Sequence, residues 1–162
     1  MEIDVSSYTF TRRAWVGASP AFVYGLISDV SRIGQWSPKA SAVAYDDGEQ
    51  PRAGAWFSGH NVKDGRSWIT RSQVVEAEPA QRFGFVVGGA ADGIVRWDWT
   101  LLASGDGTEV RQSWRLLRYD PVLGATPDDV RALRDYMADS AESTLIELSR
   151  WIGAHHDLRA YR

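Results

Sequence analysis

The sequence predicts an α+β domain in which a curved antiparallel sheet of six to seven strands wraps around one long C-terminal helix. Alternating apolar and polar residues, separated by Gly-containing turns, fill the chain from about residue 40 to residue 119. Apolar residues then recur at three- and four-residue spacing from Val130 to Trp151. A long amphipathic helix has to bury its apolar stripe, and the sheet is the one element large enough to cover it.

A strand and a short helix open the chain. Residues 7–16 alternate loosely between polar and apolar side chains, which predicts the first strand. Ser19 is a favourable N-cap, and Pro20 suits the first position of a helix because its missing N–H has no partner to lose there. These residues predict a helix over about 20–28.

A second short helix is predicted over 30–36, immediately after the first. Asp29 is placed to cap its N-terminus, and Ser37-Pro38 ends it because a residue before proline avoids the helical region. Two short helices therefore separate the first strand from the rest of the sheet.

The remaining strands form an antiparallel meander. Asp64-Gly65 lies between two alternating runs, and this dipeptide is a strong short-range signal for a hairpin. Short turns also connect the later runs, which indicates that successive strands are antiparallel neighbours. The predicted strands cover residues 40–46, 54–62, 66–77, 81–88, 94–103 and 108–119.

The long helix begins at a strong N-terminal signal. Thr126 is a capping residue, Pro127 fits the first turn, and acidic residues follow near the positive end of the helix dipole. Gly153 is placed to cap its C-terminus. The apolar stripe is predicted to contain Val130, Leu133, Met137, Ala141, Thr144, Leu148 and Trp151. No linker or internal repeat divides the chain, so residues 1–153 are predicted to form one domain and 154–162 a short polar tail.

Composition excludes several classes of function. The net charge of −3 argues against nucleic-acid binding, which requires a concentrated basic face. The absence of cysteine removes disulfides, thiolate metal sites and thiol nucleophiles, and it fits a reducing compartment. No signal peptide or apolar run long enough for a membrane span is visible, so we expect a cytoplasmic protein. The three histidines form no pattern typical of a metal site, and no metal or other cofactor is expected.

The last predicted hairpin places three of the eight tryptophans on one face of the sheet. Trp97 and Trp99 share this face on one strand, and Trp114 shares it with Gln112 on the next. A buried amide without a partner costs about 1–3 kcal/mol, so Gln112 requires either a hydrogen-bonding neighbour or a ligand. This face is expected to line either a cavity or a filled core whose polar groups satisfy one another.

The same alternation selects inner-face residues on the other strands, and the resulting interior is aromatic with a few neutral polar groups. Such a lining suits a largely apolar ligand that carries one or two oxygen atoms. The predicted ligand-binding residues are Trp36, Phe57, Asn61, Trp68, Thr70, Ser72, Phe83, Phe85, Trp97, Trp99, Gln112, Trp114, Met137 and Thr144.

Several segments carry a family resemblance. They are the run from Ser19 to Tyr24 with Asp29-Val30, the segment Ile33-Gly34-Gln35-Trp36-Ser37-Pro38, residues 54–61, the Glu78-Pro79 turn before Arg82-Phe83, and Gly107-Thr108-Glu109-Val110. On these residues the chain, up to about residue 152, resembles the START-like superfamily, also called SRPBCC or birch-pollen-allergen-like. Within it, the chain resembles the polyketide cyclase/dehydrase and lipid-transport group. The resemblance implies a helix-grip fold with a cavity between sheet and helix, and members bind lipids, polyketides or other apolar molecules.

Three hypotheses of function follow. The first is that the protein, as a monomer or homodimer, encloses a small apolar, aromatic or polyketide/lipid-like molecule. The second is a polyketide cyclase or dehydratase, for which Asn61, Arg66 and Gln112 are the candidate catalytic residues. The third is a partner-binding or stress-response module with a filled interior.

Overall fold

A computed structural model describes residues 1–37 and 41–156, and within these ranges the strands form one antiparallel sheet. The strands are β1 (Thr9–Val16), β2 (Ser41–Tyr45), β3 (Trp56–Lys63), β4 (Arg66–Glu78), β5 (Arg82–Val87), β6 (Val95–Ser104) and β7 (Gly107–Leu116). Their order is β1-β7-β6-β5-β4-β3-β2, so the predicted meander is confirmed and the first strand closes its far edge against the last. The helices are α1 (Pro20–Ser28), α2 (Ile33–Trp36) and α3 (Pro127–His155).

The β3–β4 hairpin follows directly from its sequence. Asp64 and Gly65 both have positive φ, 52° and 75°, as a two-residue type I′ turn requires. Their conformation matches the right-handed twist of the flanking strands and fixes the register in which Asn61 lies opposite Trp68. Because side chains alternate between the two faces, this register determines which residues face α3.

The N-terminal helices follow the prediction with one correction. Ser19 accepts a hydrogen bond from the backbone N–H of Phe22 at 3.2 Å and caps α1 as expected. The predicted second helix divides into a 3-10 turn over Val30–Arg32 followed by α2, and Asp29 makes no side-chain capping bond to it. The Oδ1 of Asp29 instead accepts a hydrogen bond from the hydroxyl of Ser31 at 2.6 Å. The Ser31 hydroxyl thus takes the place of the backbone N–H that a capping carboxylate would bind. The predicted stop at Pro38 and the predicted strand residue 40 lie outside the described residues.

The α3 helix begins as predicted but ends later. Thr126 and Asp129 form a reciprocal capping box at its start. The prediction that Gly153 caps its C-terminus is wrong, because the helix continues through Gly153 to His155, two residues into the predicted tail. Ile152 is fully buried one turn from the end, and this packing holds the last turn in helical conformation. Residues 157–162 of the predicted tail lie outside the described residues.

The apolar stripe of α3 is rotated relative to the prediction. Leu145 and Ile152 are buried, whereas the predicted Thr144 and Trp151 lie at the flank of the stripe. The predicted stripe repeated every seven residues from Val130, and a straight α-helix drifts by about 20° per heptad from such a repeat. Over three heptads the error reaches about 60°, which shifts the buried position by one residue.

The core divides into two apolar clusters. The first lies beneath α1 and the C-terminal half of α3 and includes Trp99, Val110 and Leu148. The second lies beneath the N-terminal half of α3 and includes Phe10 and Trp114. The long helix packs mainly against β1 and β7, so it covers one side of the concave face more completely than the other. None of the helices described here is both long and apolar enough to cross a bilayer.

Candidate functional site on the concave face

Two rows of residues cross the concave face of the sheet, each joining β1, β7, β6 and β5. The Gln112 row contains Arg12, Gln112, Trp99 and Phe83. The Trp114 row contains Phe10, Trp114, Trp97 and Phe85. The boundary between the two apolar clusters passes through the Gln112 row, since the neighbours of Gln112 along β7, Val110 and Trp114, belong to different clusters.

The Gln112 row contains two buried polar atoms without a hydrogen-bond partner among the described residues. Gln112 is 7% exposed and its Oε1 accepts no bond, although it lies inside as predicted. Trp36, at the end of α2, is 2% exposed and its indole Nε1 donates no bond to any described group. Trp36 meets Trp99 edge-on, with ring centroids 6.3 Å apart, and Gln112 is the direct cross-strand neighbour of Trp99. The two side chains that carry the unpaired donor and the unpaired acceptor are therefore both neighbours of Trp99.

Arg12 is a member of this row that the sequence analysis missed. It lies directly opposite Gln112 on β1, half-buried, with its guanidinium 5.5 Å from the centre of the Phe10 ring. Its Nη1 donates to the backbone oxygen of Thr11 at 3.1 Å, and no carboxylate of the described chain forms an ion pair with it. Strand alternation could have predicted this position, because Arg12 is two residues after the inward-facing Phe10 on β1 and so points to the same face.

The Trp114 row is closed on one side and open on the other. Trp114 is 1% exposed and stacks on Phe10 with ring centroids 5.6 Å apart. Trp97 also meets Phe10, edge-on at 6.0 Å, but remains partly exposed, as does Phe85 on the next strand. These two aromatic rings lie on strands in the interior of the sheet, where α3 provides little cover. We call the partly open surface formed by Trp97, Phe85 and their neighbour Val87 the aromatic trough.

Three small polar residues follow the trough along β3 and β4. Ser72 is buried, while Asn61 and Thr70 are half-buried. The Nδ2 of Asn61 donates to the hydroxyl oxygen of Thr70 at 2.6 Å, so these two predicted ligand-binding groups already satisfy part of each other's hydrogen-bonding capacity. Phe57, on the same face, is buried and packs edge-on against Phe85 at 5.0 Å.

The end of the β3–β4 hairpin carries two predicted site residues, Trp68 opposite Asn61 and Arg66 nearer the turn, both away from Gln112. Trp68 has the inward parity but is 47% exposed, and Arg66 is exposed at the first position of β4. Arg66 lies six residues beyond Ser72, about 20 Å along an extended strand. The structure therefore does not bring Arg66, Asn61 and Gln112 together into one group.

The helix contributes less to the site than predicted. Met137 is half-buried and packs against the second apolar cluster. The hydroxyl of Thr144 donates to the backbone oxygen of Ser140, one turn earlier in α3, at 2.9 Å. Thr144 thus directs its hydrogen-bonding group to its own helix, as threonine within helices commonly does.

Two tyrosine phenols, those of Tyr24 and Tyr45, lie near the first cluster. Tyr24 on α1 meets Phe83 edge-on at 6.4 Å, and burial raises the pKa of its phenol, so the group stays protonated at neutral pH. The phenol of Tyr45 donates to the backbone oxygen of Ser28 at 2.7 Å, and its pKa is also raised by burial.

The polar contact between Ser37 and Glu147 was not predicted from the sequence. The buried Ser37, next to Trp36, donates its hydroxyl proton to the Glu147 carboxylate on α3 at 2.6 Å. This bond attaches the end of α2 to the long helix. It therefore holds in place the end of α2, which carries the indole of Trp36.

Two grooves lie outside the concave face. One, of about 340 Å³, lies on the convex side, where Arg96 pairs with Asp98 at 2.9 Å and with Glu76 at 3.1 Å. The other, of about 490 Å³, lies beside β2 between Asp29 and Pro51. Neither groove lies between the sheet and α3, and charged side chains take part in the lining of both.

The histidines are dispersed. His60 is exposed on the convex side of β3, His155 stacks on Trp151 with ring centroids 4.4 Å apart, and His156 stacks on Phe22 at 4.2 Å. No group of three or more His, Cys, Asp or Glu residues within the described ranges is arranged to hold a metal ion.

Residues 7–144 match the family described as polyketide cyclase/dehydrase and lipid transport. No curated protein matches the chain. Among solved structures, the polyketide cyclase-like protein Cgl2372 from Corynebacterium glutamicum is 30% identical, with 93% of this chain and 96% of that chain covered and a TM-score of 0.63.

Two more distant structures share the fold. Ara h 8.0201 is 14% identical, with 91% of this chain and 98% of that chain covered and a TM-score of 0.67. The di-domain ARO/CYC StfQ from the steffimycin biosynthetic pathway is 16% identical with a TM-score of 0.70, and the match covers 96% of this chain and 52% of StfQ. These similarities agree with the helix-grip architecture predicted from the sequence.

Proposed function

Because the chain belongs to the polyketide cyclase/dehydrase and lipid transport family, within the START-like superfamily, we propose that it binds one small aromatic, polyketide- or lipid-like molecule on the concave face of its sheet. The ligand lies on the aromatic trough and extends toward the Gln112 row. The relatives support this class of ligand, since StfQ is an ARO/CYC protein of a biosynthetic pathway.

The partial exposure of Trp97 and Phe85 is the observation that carries the proposal. Both rings lie on interior strands of a seven-stranded sheet, where a filled core would bury them as completely as it buries Trp114. Covering apolar surface is favourable by roughly 25 cal/mol per Å², so a flat apolar guest on these rings gains free energy from each contact. Offset or edge-to-face contacts with the two rings add to this gain.

The same geometry supports binding more than turnover. A cyclase or dehydratase needs a group that moves a proton at the reacting carbon, and the amides of Asn61 and Gln112 do not titrate. Arg66, the third candidate catalytic residue, lies at the distant hairpin tip. We therefore propose a binding role for Asn61 and Gln112 and retain catalysis as the alternative to be tested by turnover of a cyclising substrate.

Isothermal titration with a small panel tests the proposal. The panel contains 2-naphthol, 1,8-dihydroxyanthraquinone and palmitate, and at least one aromatic member is expected to bind with an affinity that falls several-fold in Trp97→Ala. Trp15→Phe is the matched control, because Trp15 is 52% exposed on the convex side and its loss leaves the trough unchanged. Failure of every member to bind would support instead a partner-binding module with a filled interior.

A further inference from the structure

Two buried polar groups lie beside Trp99, in the row of residues next to the trough. Trp36 has an indole N–H and Gln112 an amide Oε1 without a hydrogen-bond partner among the described residues, and both side chains are more than nine-tenths buried. Buried polar groups in folded proteins are nearly always paired, so two unpaired atoms beside one residue require an explanation. The shared neighbour is Trp99, which Trp36 meets edge-on and which lies across the β6–β7 pair from Gln112.

We propose that Trp36 and Gln112 form a subsite for a neutral hydroxyl group, a phenol or an enol, on the bound molecule. This inference rests on the proposed function, since the ligand's apolar body must lie on the aromatic trough. The hydroxyl oxygen accepts a hydrogen bond from Nε1 of Trp36, and the hydroxyl proton is donated to Oε1 of Gln112. One group then satisfies both buried atoms.

A hydroxyl fits this pair better than other oxygen groups do. An indole N–H is a donor only, and the amide oxygen is an acceptor only, so the matching group must accept and donate at once. A ketone or an ether can accept from Trp36 but has no proton for Gln112. A carboxylate likewise has no proton to give, and its negative charge would lie against the amide oxygen.

The surroundings keep this subsite selective. Trp99 and Phe83, in the same row, are almost fully buried and exclude water from one side. The Ser37–Glu147 hydrogen bond fixes the chain immediately after Trp36 to α3. With the donor and the acceptor both held by packed neighbours, a ligand without a hydroxyl leaves one or both atoms unpaired and binds less tightly.

Isothermal titration with three naphthalene probes at pH 7 tests the subsite. 2-Naphthol carries the hydroxyl, 2-methoxynaphthalene keeps the acceptor oxygen but lacks the proton, and 2-naphthoate is anionic. Wild type is expected to bind 2-naphthol about fivefold more tightly than the ether, the effect of one net hydrogen bond. Gln112→Leu should erase this preference, whereas Trp36→Phe should weaken both neutral probes and keep the preference. Trp15→Phe, on the convex side, should behave as wild type.

The possible results separate the subsite from the proposed function. Equal affinity of wild type for 2-naphthol and its methyl ether, tighter binding of 2-naphthoate, or a preference that survives in Gln112→Leu would each overturn the hydroxyl subsite while leaving binding on the trough intact. Failure of all three probes to bind wild type would overturn both. A second readout is the indole N–H resonance that is absent in Trp36→Phe, which should shift when 2-naphthol binds; an unmoved resonance would also overturn the subsite.

Discussion

Gln112 of β7 lies directly opposite Trp99 of β6 on the concave face, and the two side chains are 7% and 4% exposed. An amide in this position has lost its water, yet its Oε1 has no partner among the described residues. Leaving a buried polar atom unpaired costs about 1–3 kcal/mol. A residue that costs stability in the free protein and matches a ligand group is typical of a binding site.

Gln112→Leu is therefore expected to stabilise the ligand-free protein. Leucine has a similar size and removes the unpaired oxygen, so the free energy of unfolding should rise by about 1 kcal/mol. For a domain of this length such a gain raises Tm by about 2–4 °C. Thermal unfolding followed by circular dichroism measures the change.

Gln73→Leu is the matched control on the convex face. Gln73 donates from Nε2 to the backbone oxygen of Gly54 at 3.2 Å and accepts from the N–H of Ala90 at 2.9 Å. Its replacement leaves these backbone groups without their bonds and should lower Tm. If Gln112→Leu lowered Tm as much as Gln73→Leu does, the Gln112 amide would have a partner in solution and its assignment to a ligand would be wrong.

Replacement of Trp114 is expected to lower mainly stability, and replacement of Trp97, in the same row, mainly ligand affinity. Trp114 is buried and stacked on Phe10, so Trp114→Ala should cost about 3–5 kcal/mol, the usual range for deletion of a large core aromatic. Trp97 is partly exposed, and Trp97→Ala should cost markedly less stability while weakening ligand binding. Urea unfolding and isothermal titration measure the two effects; equal destabilisation by both substitutions would indicate that the trough is closed.

Much of the fold could be predicted because local signals determine it. The Asp64-Gly65 turn fixes one hairpin, and the capping box of Thr126 and Asp129 fixes the start of α3. Alternation along β6 and β7 also places Trp99 and Gln112 correctly on the inner face. These features depend on steric and hydrogen-bonding preferences within a few residues, which the sequence displays directly.

The parts that were not predicted depend on what covers each face. Alternation assigns Trp68 and Trp114 to the same side of the sheet, but only the packing of α3 over β1 and β7 makes Trp114 a core residue and leaves Trp68 exposed. Arg12 was not predicted as a site residue because arginine is a residue type that is mostly exposed, whereas its position in β1 faces inward. The unpaired atoms of Trp36 and Gln112 likewise arise from tertiary contacts, which spacing along the chain does not reveal.

The capping box predicts a specific dependence of stability on acid. Hydrogen bonds from Thr126 and from the N–H of Ala125 hold the pKa of Asp129 below its ordinary value of 3.8. A lowered folded-state pKa contributes stability that is fully present above the ordinary pKa and is lost as the pH falls through the folded-state value. Asp129→Asn should lower Tm at pH 7 and show a smaller decrease than wild type between pH 5 and pH 3.

A carboxylate elsewhere on α3 serves as the reference for this measurement. Asp139 is exposed in the middle of the helix, far from the unpaired N–H groups of the first turn. Asp139→Asn should therefore follow the wild-type decrease in Tm across the same pH range. If the Tm of Asp129→Asn decreased as much as the Tm of wild type and of Asp139→Asn, the Asp129 carboxylate would make no special contribution to the cap.

Two arginines on opposite ends of the concave face give the last prediction. Arg12 lies beside Gln112, whereas Arg66 lies at the hairpin tip, about 20 Å beyond Ser72 along β4. At 0.1 M salt Arg12→Met should weaken binding of the anionic 2-naphthoate about threefold, because it removes a positive charge beside Gln112, and should change 2-naphthol binding by less than twofold. Arg66→Met should leave both affinities unchanged, since its charge is more than a Debye length away at 0.1 M salt. Equal losses from the two substitutions in isothermal titration would mean that the ligand lies toward the hairpin and not beside the Gln112 row.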